Sequence, residues 1–130
     1  MVVNKPNGDI RICADYKIGL NSKLCSDSYP LSNMETAFCA FSNMKYFAKI
    51  DLSNAYHQIS LDETSRQLTT INTPIRLLRW TRLPFGVKTA SAQFQRAMES
   101  TFNDGMKNRI ICQDDIAVAA TNKDELENAF

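Results

Sequence analysis

Ile110-Ile111-Cys112-Gln113-Asp114-Asp115-Ile116-Ala117-Val118-Ala119-Ala120 sets two adjacent carboxylates between two apolar runs. Runs of this kind around a short polar centre suit two strands of a hairpin, with the acids at its tip. Neighbouring carboxylates repel one another and resist loss of water. Taken alone, the pair fits a solvated turn equally well, because Asp is common in turns. Against that, no glycine follows to make the usual tight hairpin turn. A divalent cation would cancel the repulsion, and oxygen donors suit magnesium.

Upstream, Lys45 to Leu52 alternates as a strand, with Tyr46, Ala48, Ile50 and Leu52 on one face. Asp51 lies near its end on the other face. Alone it reads as a strand-end acid or a helix N-cap. If this strand lies beside the hairpin, Asp51 becomes a third carboxylate next to Asp114 and Asp115. Such a cluster can hold two metal ions about 3.5–4 Å apart, one activating a hydroxyl and one holding a triphosphate and its leaving group.

Around these strands, Val2-Val3 and Ile10 to Tyr16 flank Pro6-Asn7-Gly8 and read as a β-hairpin. Residues 17 to 30 are polar and irregular. Ser32 and Glu35 form a capping box, and Leu31, Met34, Phe38 and Phe41 follow at helical spacing. Residues 56 to 61 resume extended structure. Leu68 to Asn72 and Leu77 to Leu83 read as two strands joined around Thr73-Pro74. From Ala90 a stripe of Ala90, Phe94, Ala97, Met98 and Phe102 marks a helix that Gly105 would stop. The mixture of helices with antiparallel pairing predicts an α+β domain.

The net charge is +1, from 15 basic and 14 acidic residues, which by itself points to no partner. Locally the balance breaks. Thr64 to Met98 contains no Asp or Glu but carries Arg66, Arg76, Arg79, Arg82, Lys88 and Arg96, with Trp80 and Phe85 among them. Cations interleaved with aromatics suit a nucleic-acid backbone and stacked bases, although a solvated face accounts for them as well. Lys5 and Arg11 on the first hairpin suit a triphosphate in the same qualified sense. The four cysteines lack metal-ligand spacing, and His57 is the single histidine, so a zinc site is not supported. They read as reduced thiols of an intracellular protein. No apolar run reaches membrane-spanning length and no signal peptide opens the chain. P-loop, dinucleotide-binding and nucleophile-elbow motifs are absent. Both ends read as cut from something longer.

Five motifs, in order, give the chain a family resemblance. Gly8-Asp9-Ile10-Arg11-Ile12-Cys13-Ala14-Asp15-Tyr16, Asp27-Ser28-Tyr29-Pro30-Leu31, the strand Tyr46 to Gln58 bearing Asp51, Leu83-Pro84-Phe85-Gly86 followed by Phe94-Gln95-Arg96, and Cys112-Gln113-Asp114-Asp115 run over nearly the whole chain. Together they resemble the reverse transcriptases of gypsy-class long-terminal-repeat retrotransposons, and more distantly those of retroviruses.

The resemblance implies a right-hand polymerase, with fingers at about 1–44 and 62–83 and a partial palm at about 45–61 and 84–130. It implies an RNA-directed DNA polymerase in which Asp51, Asp114 and Asp115 bind two magnesium ions, with manganese as the substitute. Lys5 and Arg11 would contact the triphosphate, Tyr56 would pack under the sugar and exclude a ribose 2′-hydroxyl, and Phe85 and Gly86 would line the nucleotide pocket. Cys112, Gln113, Arg82, Lys88 and Ser91 would meet template or primer. The implied partners are an RNA or DNA template, a DNA primer, a deoxynucleoside triphosphate and the rest of a polyprotein (thumb, RNase H, integrase). No membrane is involved, and the implied location is cytoplasmic and particle-associated. Three positions depart from the family pattern: Cys112 replaces a tyrosine, Ser91 a proline and Arg76 a small residue. The alternative reading is a catalytically inactive, domesticated or decayed remnant that binds nucleic acid or protein.

Overall fold

The computed structural model describes residues 2–4, 6, 8–30, 35, 39–102 and 108–129. The chain divides into two compact units, Met1–Ser28 with Tyr56–Ser91, and Tyr29–Ala55 with Ala92–Phe130. Lys5, and most of the helix expected after Ser32, lie outside the described residues.

In the first unit, β1 (Val2–Asn4) and β2 (Ile10–Ile12) pair antiparallel, with Val2 opposite Ile12 and Val3 opposite Arg11. β-Branched residues favour this ribbon, and Gly8 takes the positive φ of 87° that the connection needs. The strand stops at Ile12 rather than running to Tyr16. Tyr16 is 6% exposed, and its hydroxyl donates to the Thr69 carbonyl at 2.9 Å. Burying that ring draws the chain out of the ladder. Within the stretch expected to be irregular, Leu20–Lys23 makes one α-turn.

The segment from residue 56 begins with a 3₁₀ turn, Ala55–Gln58, before any extended backbone. Ser60 then bridges Arg82, the Leu61 N–H donates to the Thr81 carbonyl and the Leu83 N–H to the Ile59 carbonyl, each at 3.0 Å. A helix over Glu63–Leu68 occupies the start of the segment expected to be strand. Its cause is Asp62, whose carboxylate accepts from the Ser65 N–H and the Ser65 hydroxyl, both at 2.9 Å. The strands that follow are therefore short: β4 (Ile71–Asn72) and β5 (Leu77–Leu78), paired antiparallel. Leu61, Leu83 and Ala90 form the core of this unit, with Tyr56, Ile59, Trp80 and Val87 packed on it.

The second unit is built on a three-stranded antiparallel sheet in the order β3 (Tyr46–Asp51), β7 (Asp115–Ala120), β6 (Arg109–Cys112). β7 is central, and Ile116, Val118, Ala119 and Ala120 are buried in it. On β3, Ala48 and Ile50 are half-buried while Phe47, Lys49 and Asp51 are exposed, the alternation the sequence predicted.

The helix Ala90–Thr101 repeats Ala90, Phe94 and Met98 along one buried face. Phe94 alone, 1% exposed, contributes about 1.5–3 kcal/mol by burial. Two details depart from the expected stripe: Ala97 and Phe102 are only half-buried, and the polar Gln95 is 0% exposed. The helix ends at Thr101, short of Gly105, which is outside the described residues. A last helix, Lys123–Glu127, is capped by Asn122, whose side chain accepts the Glu125 N–H at 2.8 Å. The fold class is α+β with antiparallel sheets, as expected. Among the described residues no helix is long and apolar enough to cross a membrane.

Candidate active site

The acid hairpin forms where the sequence placed it, but more tightly. β6 ends at Cys112 and β7 starts at Asp115, and these two residues are paired, which leaves Gln113 and Asp114 as a two-residue loop. Such loops need positive φ at their first position and usually use glycine or asparagine there. Here Gln113 takes it, at φ 54°. The absence of glycine therefore did not prevent a tight turn. A helix residue supplies the support: the Gln113 N–H donates to the Gln95 side-chain oxygen at 2.8 Å.

Asp51 ends β3 directly opposite Asp115 in the β3–β7 register. Past that pair the Leu52 N–H donates to the Asp114 carbonyl at 2.8 Å, so the third acid's backbone is tied to the same strand end. Asp51, distant in sequence, thus shares one end of one sheet with the adjacent pair Asp114 and Asp115. The Lys49 ammonium lies 2.9 Å from an Asp115 carboxylate oxygen. Its hydrogen bond and charge contact with Asp115, helped by Asp51, raise the lysine pKa above its usual value. All three donors are carboxylate oxygens, the chemistry magnesium requires. As the side chains stand, with Asp115 engaged by Lys49, no group of three or more acidic, histidine or cysteine side chains converges among the described residues. Cys112 is exposed, with a free thiol.

A second set lies within the first unit. Phe85 is its centre: the Tyr56 ring packs at 5.2 Å, the His57 ring edge-on at 5.1 Å, and the Arg11 guanidinium covers the ring at 4.6 Å. His57 also stacks on Trp80 at 5.6 Å. Trp80, grouped in the sequence with the aromatics of the basic segment, is thus packed on His57, whose place in this ring cluster no motif marked. Gly86 has φ 99°, and a Cβ there would come within 2.6 Å of the Ala14 carbonyl oxygen. The Asn21 side chain holds this turn from both sides, donating to the Gly86 carbonyl and accepting the Lys88 N–H, each at 2.8 Å. No sequence signal marked Asn21.

The cations expected at the template are partly committed elsewhere. Arg82 donates to the Gln58 carbonyl at 3.1 Å and to the Ser60 hydroxyl at 2.9 Å. Arg66 donates to the Leu61 carbonyl, and Arg79 lies 3.5 Å from Glu63. The Lys88 side chain is exposed, and Ser91 is half-buried in the first turn of its helix.

Comparison with known proteins places nearly the whole chain in one family. Residues 3–130 match the family model described as reverse transcriptase (RNA-dependent DNA polymerase). The chain is 35% identical over 130 residues to the retrovirus-related Pol polyprotein from transposon 412 of Drosophila melanogaster, covering 96% of this chain and 10% of that protein. It is 31% identical over 121 residues to the enzymatic polyprotein of Cauliflower mosaic virus (strain Strasbourg), covering 93% of this chain and 18% of the other. Among solved structures, the foamy viral protease–reverse transcriptase in complex with an RNA/DNA hybrid superposes with a TM-score of 0.81 at 22% identity, over 98% of this chain and 17% of that one. Against the Drosophila relatives the chain spans only 10–12% of their length. With its fold shared and nearly every residue inside the matched region, the chain belongs to the reverse transcriptase (RNA-dependent DNA polymerase) family.

Proposed function

We propose that this chain carries the catalytic carboxylates of an RNA-directed DNA polymerase of the gypsy-class retrotransposon type, part of a polyprotein. The observation that carries the reading is the register of β3 and β7, with Asp51 opposite Asp115 and Asp114 in the adjoining loop. The reaction is attack of a primer 3′-hydroxyl on the α-phosphate of a deoxynucleoside triphosphate, directed by an RNA or DNA template. It requires alignment and neutralisation of charge rather than a protein nucleophile. Asp51, Asp114 and Asp115 would hold magnesium, which when bound supplies that neutralisation and lowers the pKa of the hydroxyl.

The chain's other residues bind and orient. Arg11, with Lys5, takes the triphosphate; Phe85 and Gly86 shape the nucleotide pocket; Tyr56 excludes the ribose 2′-hydroxyl. Lys88, Ser91, Cys112, Gln113 and Arg82 act on template and primer. The division into fingers (about 1–44 and 62–83) and palm (about 45–61 and 84–130) belongs to the same proposal, as does a cytoplasmic, particle-associated location. The relatives' names support the polyprotein setting: two are a Pol polyprotein and an enzymatic polyprotein. The foamy viral structures hold double-stranded DNA and an RNA/DNA hybrid.

Asp114→Asn in the protein as its gene encodes it tests the reading. Primer extension should vanish while thermal unfolding is unchanged; near-normal extension would remove the metal role. One observation favours the second reading, an inactive remnant that binds nucleic acid: the Lys49 ammonium already engages an Asp115 carboxylate oxygen, at 2.9 Å. A wild-type protein that binds primer–template in a salt-dependent way, yet extends nothing with magnesium or manganese, would establish it.

A further inference from the structure

Gln95 is a polar side chain with no exposed surface, and each end of its amide is used. Its nitrogen donates to the Ile111 carbonyl at 2.8 Å and to a Glu99 carboxylate oxygen at 2.7 Å. Its oxygen accepts the Gln113 N–H at 2.8 Å. The amide cannot be reversed, because its oxygen would then face two acceptors. Gln95 thus grips the hairpin on both sides of Cys112, at Gln113, which holds a positive φ without being glycine. A left-handed glutamine is a strained choice that persists only where its surroundings enforce it.

The grip is itself held. The other Glu99 carboxylate oxygen accepts the Tyr29 hydroxyl at 2.7 Å, and the Arg96 guanidinium covers the Tyr29 ring at 5.0 Å. Tyr29 has its pKa raised, first by that hydrogen bond, in keeping with a hydroxyl that stays protonated and donates. Glu99, fixed by Tyr29, presents its second oxygen to Gln95 and so orients the amide.

We propose that Gln95 is a positioning residue for the acid hairpin: oriented by Glu99 and Tyr29, it holds Gln113 left-handed and thereby aims Asp114 and Asp115. Its consequence for catalysis rests on the polymerase reading; its structural half does not. The test compares wild type, Gln95→Leu, Tyr29→Phe and the double variant Gln95→Leu with Gln113→Gly, all in the protein as its gene encodes it. Amide hydrogen exchange is read over residues 109–118, and kcat and the nucleotide KM are read by primer extension.

Gln95→Leu should speed exchange at Gln113 by roughly tenfold or more. It should lower kcat by about 10–100-fold while KM stays within about twofold. Adding Gln113→Gly, which adopts positive φ unaided, should restore kcat by about fivefold or more. Unchanged exchange in Gln95→Leu, or a double variant no better than the single one, overturns the proposal. Should Gln95→Leu fail to fold, Tyr29→Phe decides, because it removes one hydroxyl and keeps the ring: exchange about threefold faster at Gln113 supports the relay, and unchanged exchange ends it. If exchange responds as expected while the wild type extends no primer, positioning stands and the polymerase reading falls.

Discussion

Asp51 and Asp115, the last residue of one strand and the first of its neighbour, face each other directly across the β3–β7 ladder. Like charges in that relationship oppose pairing. Lys49 meets part of the cost by contacting Asp115 from two positions before Asp51 on β3. The sheet is therefore less stable at this end than its sequence of small and β-branched residues would allow.

That makes Asp51→Asn a stabilising change in the absence of divalent ions. Removing one of two opposed charges should raise unfolding free energy by about 0.2–1 kcal/mol. Thermal unfolding in chelator should show a slightly higher midpoint, and added magnesium should stabilise the variant less than the wild type. An Asp51→Asn protein that gains as much from magnesium as the wild type would take Asp51 out of the ion site.

Tyr56 packs against Phe85, which also bears Arg11. Shortening the ring in Tyr56→Val opens space where a ribose hydroxyl would sit under the proposed pocket. Single-nucleotide incorporation should then discriminate less against ribonucleotides, by about tenfold or more. Unchanged discrimination would remove Tyr56 from the sugar gate.

Gly86→Ala meets two obstacles at once, a φ of 99° and the Ala14 carbonyl oxygen 2.6 Å from the new methyl. Backbone on the other side cannot swing away as a flexible side chain can. The change should cost about 1–3 kcal/mol in urea unfolding. Loss of Asn21, which brackets the same turn, should cost about 1 kcal/mol through two lost hydrogen bonds.

Tyr16 gives the fold a pH dependence at its alkaline end. Burial pushes its pKa up from 10.0 to about 12, against a smaller opposing pull from Trp80. The folded state therefore prefers the neutral phenol. Its contribution is fully present below pH 10 and is lost as pH rises from there towards 12. The shift corresponds to at most about 2.7 kcal/mol, and solvent screening reduces that to about 1 kcal/mol. Unfolding midpoints measured across pH 9 to 12 should fall more steeply in the wild type than in Tyr16→Phe.

The long-range pairing could be read from residues because its signals are strong: alternation in Tyr46 to Leu52, and apolar runs around two acids. What the sequence hid was local and polar. Asp62 capped a helix that interrupts the run at Leu68, and a single N-cap of this kind is easily taken for surface charge. Gln95 sits between buried Phe94 and exposed Arg96, and nothing in a glutamine there announces complete burial; only the partners across the fold do. Asn21 and Gly86 show the same limit, since a side chain that serves a turn 65 residues away leaves no periodicity.

The order of the strands also shapes how the chain is made. β3 is translated roughly 65 residues before β7, its hydrogen-bonded neighbour among the described residues of the sheet; at about 5–20 residues per second it waits on the order of seconds on the ribosome. Through that interval Tyr46 and Phe47 belong to an unpaired edge. The hairpin of β6 and β7, by contrast, closes on itself within microseconds of emerging. A nascent chain that stalls between the two strands is the species most exposed to capture by another copy or by a chaperone.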